Sequence, residues 1–193
     1  MPAYKPLRYP SILKEIKDLQ RAVELMRLGG RLQMIESIVD ISHQRLLRLH
    51  HEVCDHGPSK GLLPFSSEWH ILWRNRIHSS VWMDIYNKLT GDEDDIERMI
   101  RAHRMYEERC LDCGAPIVLS ITRAWNMLSL FRSGTFDLKA CAQCQGEFVV
   151  YRMDLNDGFV CGICNPPSRV GKTKRSTASK MNPNLDRGLY ATL

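Results

Sequence analysis

The chain has 193 residues, 44% of them hydrophobic and 25% charged, which is enough apolar content for one ordinary core, or for one domain with a small appendix. No stretch approaches the roughly 18 consecutive apolar residues needed to cross a bilayer, and the opening MPAYKPLRYPSILKEIKDLQ lacks the apolar centre of a signal peptide, so a cytoplasmic location is expected and a membrane one is not. Residues 1–164 carry 21 basic and 21 acidic side chains, so the net charge of +5 resides wholly in the final segment, which has six basic residues and one acidic.

In chain order the first 132 residues read as helical. Ile12, Ile16, Leu19 and Val23 recur at spacings of three and four on a helix from Ser11 to Leu28, which Gly29 and Gly30 stop. Arg31–Val39 predicts a short second helix. Ser42 is suited to cap a third running to about Val53. HGPSKGLLPFSS, from His56 to Ser67, predicts a loop, and Glu68–Leu89 a long helix. Its Trp69, Leu72, Trp73, Ile77, Trp82 and Ile85 cover much of the circumference, implying burial against several neighbours or a partner subunit. A helix from Asp94 to about Arg109 follows the acidic run at Asp92–Asp95, and Pro116 fits the first turn of another ending near Arg132.

After Gly134 the period changes. Phe136 and Leu138 lead into a CxxC, Glu147–Tyr151 reads as a strand, and Gly158–Val160 as a short strand before a second CxxC. Cys141 and Cys144, then a sixteen-residue spacer, then Cys161 and Cys164 have the layout of a zinc ribbon. Each CxxC presents two sulfurs from one tight turn, and two turns complete the tetrahedron that zinc accepts. One structural Zn²⁺ with no open coordination position is therefore expected, the alternatives being two disulfides or four unligated thiols. So small a module cannot bury a core unaided, and ligation should supply much of its folding free energy. The expected organisation is mainly α: a helical domain over 1–133, a four-cysteine zinc-ribbon-like β module over 134–168, and a basic, disordered tail over 169–193.

Two features suggest nucleic acid. Two short helices within Arg31–Val53, joined by a turn around Asp40 and Ile41, have the layout of a helix-turn-helix. His43, Gln44 and Arg48 would face base edges and Arg45 a base or phosphate, leaving Leu46, Leu47 and Leu49 to pack inward. The same pattern also describes two amphipathic helices with a solvated basic face. Arg169, Lys172, Lys174, Arg175 and Lys180 in the tail, with Arg152 before it, suit phosphate contacts, although a basic tail also serves solubility alone.

His50-x-Glu52 with Cys110 and Cys113 has part of a zinc-deaminase signature, but Arg109 stands where that signature requires proline, and the His-x-Glu falls on a helix expected to be exposed. Four thiolates offer neither an open site nor a carboxylate base, so no enzymatic activity is expected. Cys110 and Cys113 read as reduced thiols at a helix end, and Cys54 as an ordinary thiol in or near a core. A zinc-ribbon protein that binds RNA, or nucleic acid without sequence preference, is the competing reading.

The motifs AVELMRLGGRLQMIES, KGLLPFSSEW, LSITRAW, FRSG, the two CxxC turns and CNPPSR, in this order between Leu19 and Arg169, resemble the flagellar transcriptional activator family FlhC. That resemblance implies helical proteins with a C-terminal four-cysteine zinc module, which associate with FlhD subunits in a hetero-oligomer, bind DNA upstream of flagellar operons and recruit RNA polymerase. It places the zinc ligands on Cys141, Cys144, Cys161 and Cys164, in agreement with the spacing. Cys110, Cys113 and the stretch before Ile16 depart from the family pattern.

Overall fold

A computed structural model of the chain describes residues 11–91, 94–154 and 157–168. Among them are α1 (Ile12–Arg27), α2 (Leu32–Ile38), α3 (His43–Val53), α4 (Glu68–Ile71), α5 (Trp73–Lys88), α6 (Asp95–Asp112), α7 (Ile121–Arg132), β1 (Phe136–Ala140) and β2 (Glu147–Tyr151). The architecture is mainly α, with a small β hairpin and a cysteine cluster at its C-terminal side. None of these helices is long and apolar enough to cross a membrane. Arg169, Lys172, Lys174, Arg175 and Lys180 lie outside the described residues.

The chain divides into two compact units between Leu63 and Pro64. In the first, α1 begins at Ser11, whose side chain accepts the Lys14 N–H at 3.4 Å. It ends where Gly29, at φ +71°, lets the Gly29 and Gly30 N–H groups close back on Met26 and Leu25 at 2.9 and 2.8 Å. Gly30 also admits a close approach, since a Cβ there would lie 2.7 Å from the Leu25 carbonyl oxygen. The face of α1 that is buried carries Asp18, Ala22, Leu25 and Met26, whereas Ile12 and Ile16 of the apolar stripe stay exposed. Asp18 Oδ2 accepts the Asp40 N–H at 3.3 Å, which fastens the turn between α2 and α3 to α1. Leu46 of α3 is fully buried and Leu47 and Leu49 half-buried.

In the second unit α5 is the central element, packed against α4, α6, α7 and β2. Its Ile77, Val81, Trp82, Met83, Ile85 and Tyr86 are buried on several sides by the chain itself. The expected continuous helix Glu68–Leu89 is broken. Leu72 adopts φ −56°, ψ 139°, and the Asn75 side-chain amide donates to the Trp69 carbonyl at 2.9 Å, satisfying an acceptor that the break orphans. Neither glycine nor proline marks this break, so the apolar pattern runs through it.

Pro116 does not start a helix either. It lies in a connection where the Tyr106 hydroxyl accepts the N–H groups of Val118 and Leu119 at 3.2 and 3.1 Å, and α7 starts after Ser120, whose side chain caps Arg123 N–H. Tyr106 is itself fixed by His78 Nδ1 at 2.7 Å. At the end of α7, Gly134 (φ +72°) reverses the chain into β1. β1 and β2 pair antiparallel, with Phe136 opposite Tyr151 and Ala140 opposite Glu147. Gly158–Val160 is not a strand. Its Phe159 carbonyl accepts the Ala142 N–H at 2.9 Å, a tie that helps deliver Cys161 beside the first CxxC.

Candidate metal centre

The β1–β2 connection and the chain after β2 each fold into a cysteine turn. Cys141 N–H donates to Gly146 O and Gln145 N–H to Cys141 O, both at 2.9 Å, so Cys141 and Cys144 project from one tight turn at the hairpin tip. Asn165 N–H to Cys161 O, also at 2.9 Å, closes the second turn around Cys161 and Cys164. Backbone N–H groups point at sulfur: Gln143 and Cys161 toward Cys141 Sγ at 3.4 and 3.3 Å, and Cys164 toward Cys161 Sγ at 3.4 Å. Cys141 and Cys161 are buried with Phe148, and Phe159, Val160 and Ile163 complete this small cluster.

All four sulfurs lie within 4.8 Å of one another. Cys144 Sγ and Cys161 Sγ are 3.7 Å apart, close to the roughly 3.8 Å edge of a tetrahedron with 2.3 Å zinc–sulfur bonds and far from a disulfide of about 2.05 Å. All seven cysteines are unbridged. The four-cysteine group can therefore coordinate a metal ion, and its sulfur-only donor set and closed geometry fit a structural zinc site.

The electrostatics agree with that donor set. Burial raises the Cys141 thiol, but the N–H groups of Cys161, Cys144 and Gln143 outweigh it and bring the pKa down to about 6. Burial pushes Cys161 up, and burial together with the neighbouring thiols pushes Cys164 up to about 12. One thiolate forms readily, while burial and the neighbouring thiols hold the last proton on.

Among the described residues no other group of three or more His, Cys, Asp or Glu side chains is arranged to hold a metal. Cys110 is buried near the end of α6, Cys113 caps that helix, and Cys54 is half-buried with its thiol 3.9 Å from the Met26 carbonyl. His50, expected on an exposed surface, is buried in α3 because it falls four residues after Leu46 on the packed face; His51 and Glu52 remain exposed.

On α3, His43, Gln44, Arg45 and Arg48 are all exposed. His43 Nδ1 pairs with Glu36, and Arg45 pairs with Glu15 at 2.6 Å, so two of the four carry an acidic neighbour. Arg152 is exposed just beyond β2, with its guanidinium against Gly134, where an added Cβ would lie 2.9 Å from Nη1. Sequence reasoning gave Trp73 only a packing role and passed over Gly162, and the two meet at the second cysteine turn; a glycine directly after a candidate ligand cysteine was the available signal.

The geometry defines a class: a helical protein whose C-terminal hairpin carries a closed, metal-competent four-cysteine group. The chain belongs to the flagellar transcriptional activator family FlhC, which it matches over residues 7–177. It is 40% identical to the flagellar transcriptional regulator FlhC of Verminephrobacter eiseniae over 169 residues, covering 86% of this chain and 91% of the relative. The FlhC of Nitrosomonas eutropha is 39% identical over 176 residues, with 90% and 92% covered. The FlhC of Serratia marcescens is 40% identical over 178 residues, with 91% and 89% covered.

Proposed function

We propose that this chain is the DNA-binding subunit of a cytoplasmic hetero-oligomeric activator, which acts with FlhD at flagellar promoters and recruits RNA polymerase. The observation that carries this reading is the family match along most of the chain, with the four cysteines converging as a closed site. The group held by Cys141, Cys144, Cys161 and Cys164 is one structural Zn²⁺, and the module is a zinc ribbon. When bound, the ion supplies the positive charge that lets four thiolates coexist. The chain's own residues do the rest. The N–H groups at Gln143, Cys161 and Cys164 orient the sulfurs, and the fixed hairpin presents Arg152 to phosphates; Arg169, Lys172, Lys174 and Arg175, which lie outside the described residues, supply further cations for phosphate. The helical domain over 1–133 carries the FlhD contact.

On α3, Gln44 and Arg48 are the side chains best placed to read bases, since they stand exposed on the first turns of a second helix after a tight turn. His43 and Arg45 would exchange Glu36 and Glu15 for DNA.

Fluorescence anisotropy with a flagellar promoter duplex and a scrambled duplex, with and without FlhD and across a salt series, tests the proposal. The expected result is a preference on the order of a thousandfold for the promoter at physiological salt, strengthened by FlhD. Equal affinity for both duplexes and for single strands, vanishing with salt, would overturn it in favour of non-specific nucleic-acid binding.

A further inference from the structure

Three side chains on one face of α5 grip the cysteine module at successive levels. At the first residue of the helix, Trp73 Nε1–H donates to the Gly162 carbonyl at 2.6 Å. One turn on, the Arg76 guanidinium lies 5.9 Å from the centre of the Phe159 ring. Another turn on, Ser80 Oγ accepts the Val149 N–H at 3.0 Å. Spacings of three and four place all three on one stripe of the helix.

The Trp73 contact differs from the others because it reaches a residue lying between two of the cysteines. Gly162 follows Cys161 directly and precedes Cys164 by two residues. A Cβ on Gly162 would overlap the indole, 2.6 Å from Nε1, so only glycine lets this turn lie against Trp73. Gly162 does not have a positive φ, and its requirement is one of close approach. The break at Leu72 starts α5 at Trp73 and so sets the direction from which the indole meets the turn.

We infer that Trp73 is a positioning residue for the metal centre: its indole N–H holds the Gly162 carbonyl and so fixes the turn that presents Cys161 and Cys164. The inference rests on the four-thiolate metal site proposed above. Groups bonded directly to a metal's ligands set their orientation, and losing one costs about 10–100-fold in metal affinity; Trp73 acts one residue further out, through the Gly162 carbonyl, so the lower end of that range is expected. By linkage, metal that orders the turn also tightens its seat on α5, so occupancy of the hairpin and docking of the helix favour one another.

The test uses the full chain. Zinc affinity is measured by competition with a chromophoric chelator for the parent, for Trp73→Phe and for Met99→Ala, a fully buried α6 residue whose truncation lowers stability generally. Trp73→Phe weakens zinc binding at least about tenfold and alters the cobalt-substituted ligand-field spectrum, while Met99→Ala does neither. In the parent protein, chelation exposes the Trp73 indole N–H to solvent exchange while the buried Trp82 N–H stays protected, a readout that holds even where a variant fails to fold. Parental affinity in Trp73→Phe, an equal loss in Met99→Ala, or a Trp73 N–H indifferent to chelation overturns the inference. A parent chain that binds no zinc at all fails the metal reading itself, and is distinguished by metal analysis before any variant is made.

Discussion

Helices α1–α3 bury Ala22, Leu25, Met34, Ile35 and Leu46 completely, whereas the cluster within the cysteine hairpin has Phe148 as its one fully buried large side chain, accompanied by Cys141 and Cys161. The helical region is held by removal of apolar surface from water, with capping at Ser11 and a fastened turn at Asp18 as additions. The hairpin has only two five-residue strands, and its sulfurs occupy the place that leucines take elsewhere. Phe136, Val149 and Val150 of the strands are buried as well, so it is the cysteine turns that have little to bury, and the proposed metal ligation is expected to supply their order. The two regions should therefore fail under different conditions.

The largest separation is expected from the metal. Chelation, or Cys141→Ser, removes an apparent binding free energy on the order of 10 kcal/mol and unfolds the hairpin while most of the far-UV helical signal remains. Promoter affinity should be lost with it. Normal affinity in Cys141→Ser would show that the hairpin is dispensable for DNA.

Leu46→Ala attacks the other region. It leaves a cavity beneath α3 and should cost about 2–5 kcal/mol by denaturant unfolding of α1–α3, with zinc affinity unchanged. A parallel loss of zinc affinity would mean that the two regions unfold as one.

Protonation is expected to act on the helices of the second unit. Burial lowers His70 and His103 from 6.5 to about 4, with Arg123 adding to the effect at His70. Between these values the unfolded chain binds protons that the folded chain refuses. Stability is thus full above about pH 6.5 and falls until about pH 4, by about 3 kcal/mol at most for each histidine. Thiolate protonation adds its own slope in the hairpin. Comparing Tm at pH 7 and pH 5 in the parent and in His103→Gln isolates the histidine contribution, and an unchanged difference would refute it.

The smallest effect is on recognition alone. Arg48→Ala should leave the unfolding free energy within about 0.5 kcal/mol of the parent and weaken promoter binding by about 1–3 kcal/mol. A loss confined to the promoter duplex assigns Arg48 to a base, and an equal loss on all duplexes assigns it to phosphate.

Most element positions were legible because local chemistry marked them: Ser11 caps α1 with its side chain and Gly29 and Gly30 end it, while Ser42 stands at the N-cap of α3 without a side-chain capping hydrogen bond. The cysteine spacing likewise anticipated a convergent site, since two tight turns leave sulfur few other places to go. The errors had tertiary causes. The break at Leu72 carries no breaker residue and is stabilised by Asn75 across the gap. Pro116 was outcompeted by Tyr106, which ties down the connection from another helix. The stripe Ile12, Ile16, Leu19 and Val23 has helical period but is not the face that α1 buries.

The sequence by itself determined the family, the helical character of the first region and the four metal-competent cysteines, because periodicity, caps and ligand spacing are properties of neighbours along the chain. Only the tertiary structure decided that the compact units divide at Leu63 and Pro64, that His50, His70 and His103 are buried, and that Trp73 meets the turn at Gly162. Those outcomes depend on contacts between residues far apart in sequence, which no local pattern encodes.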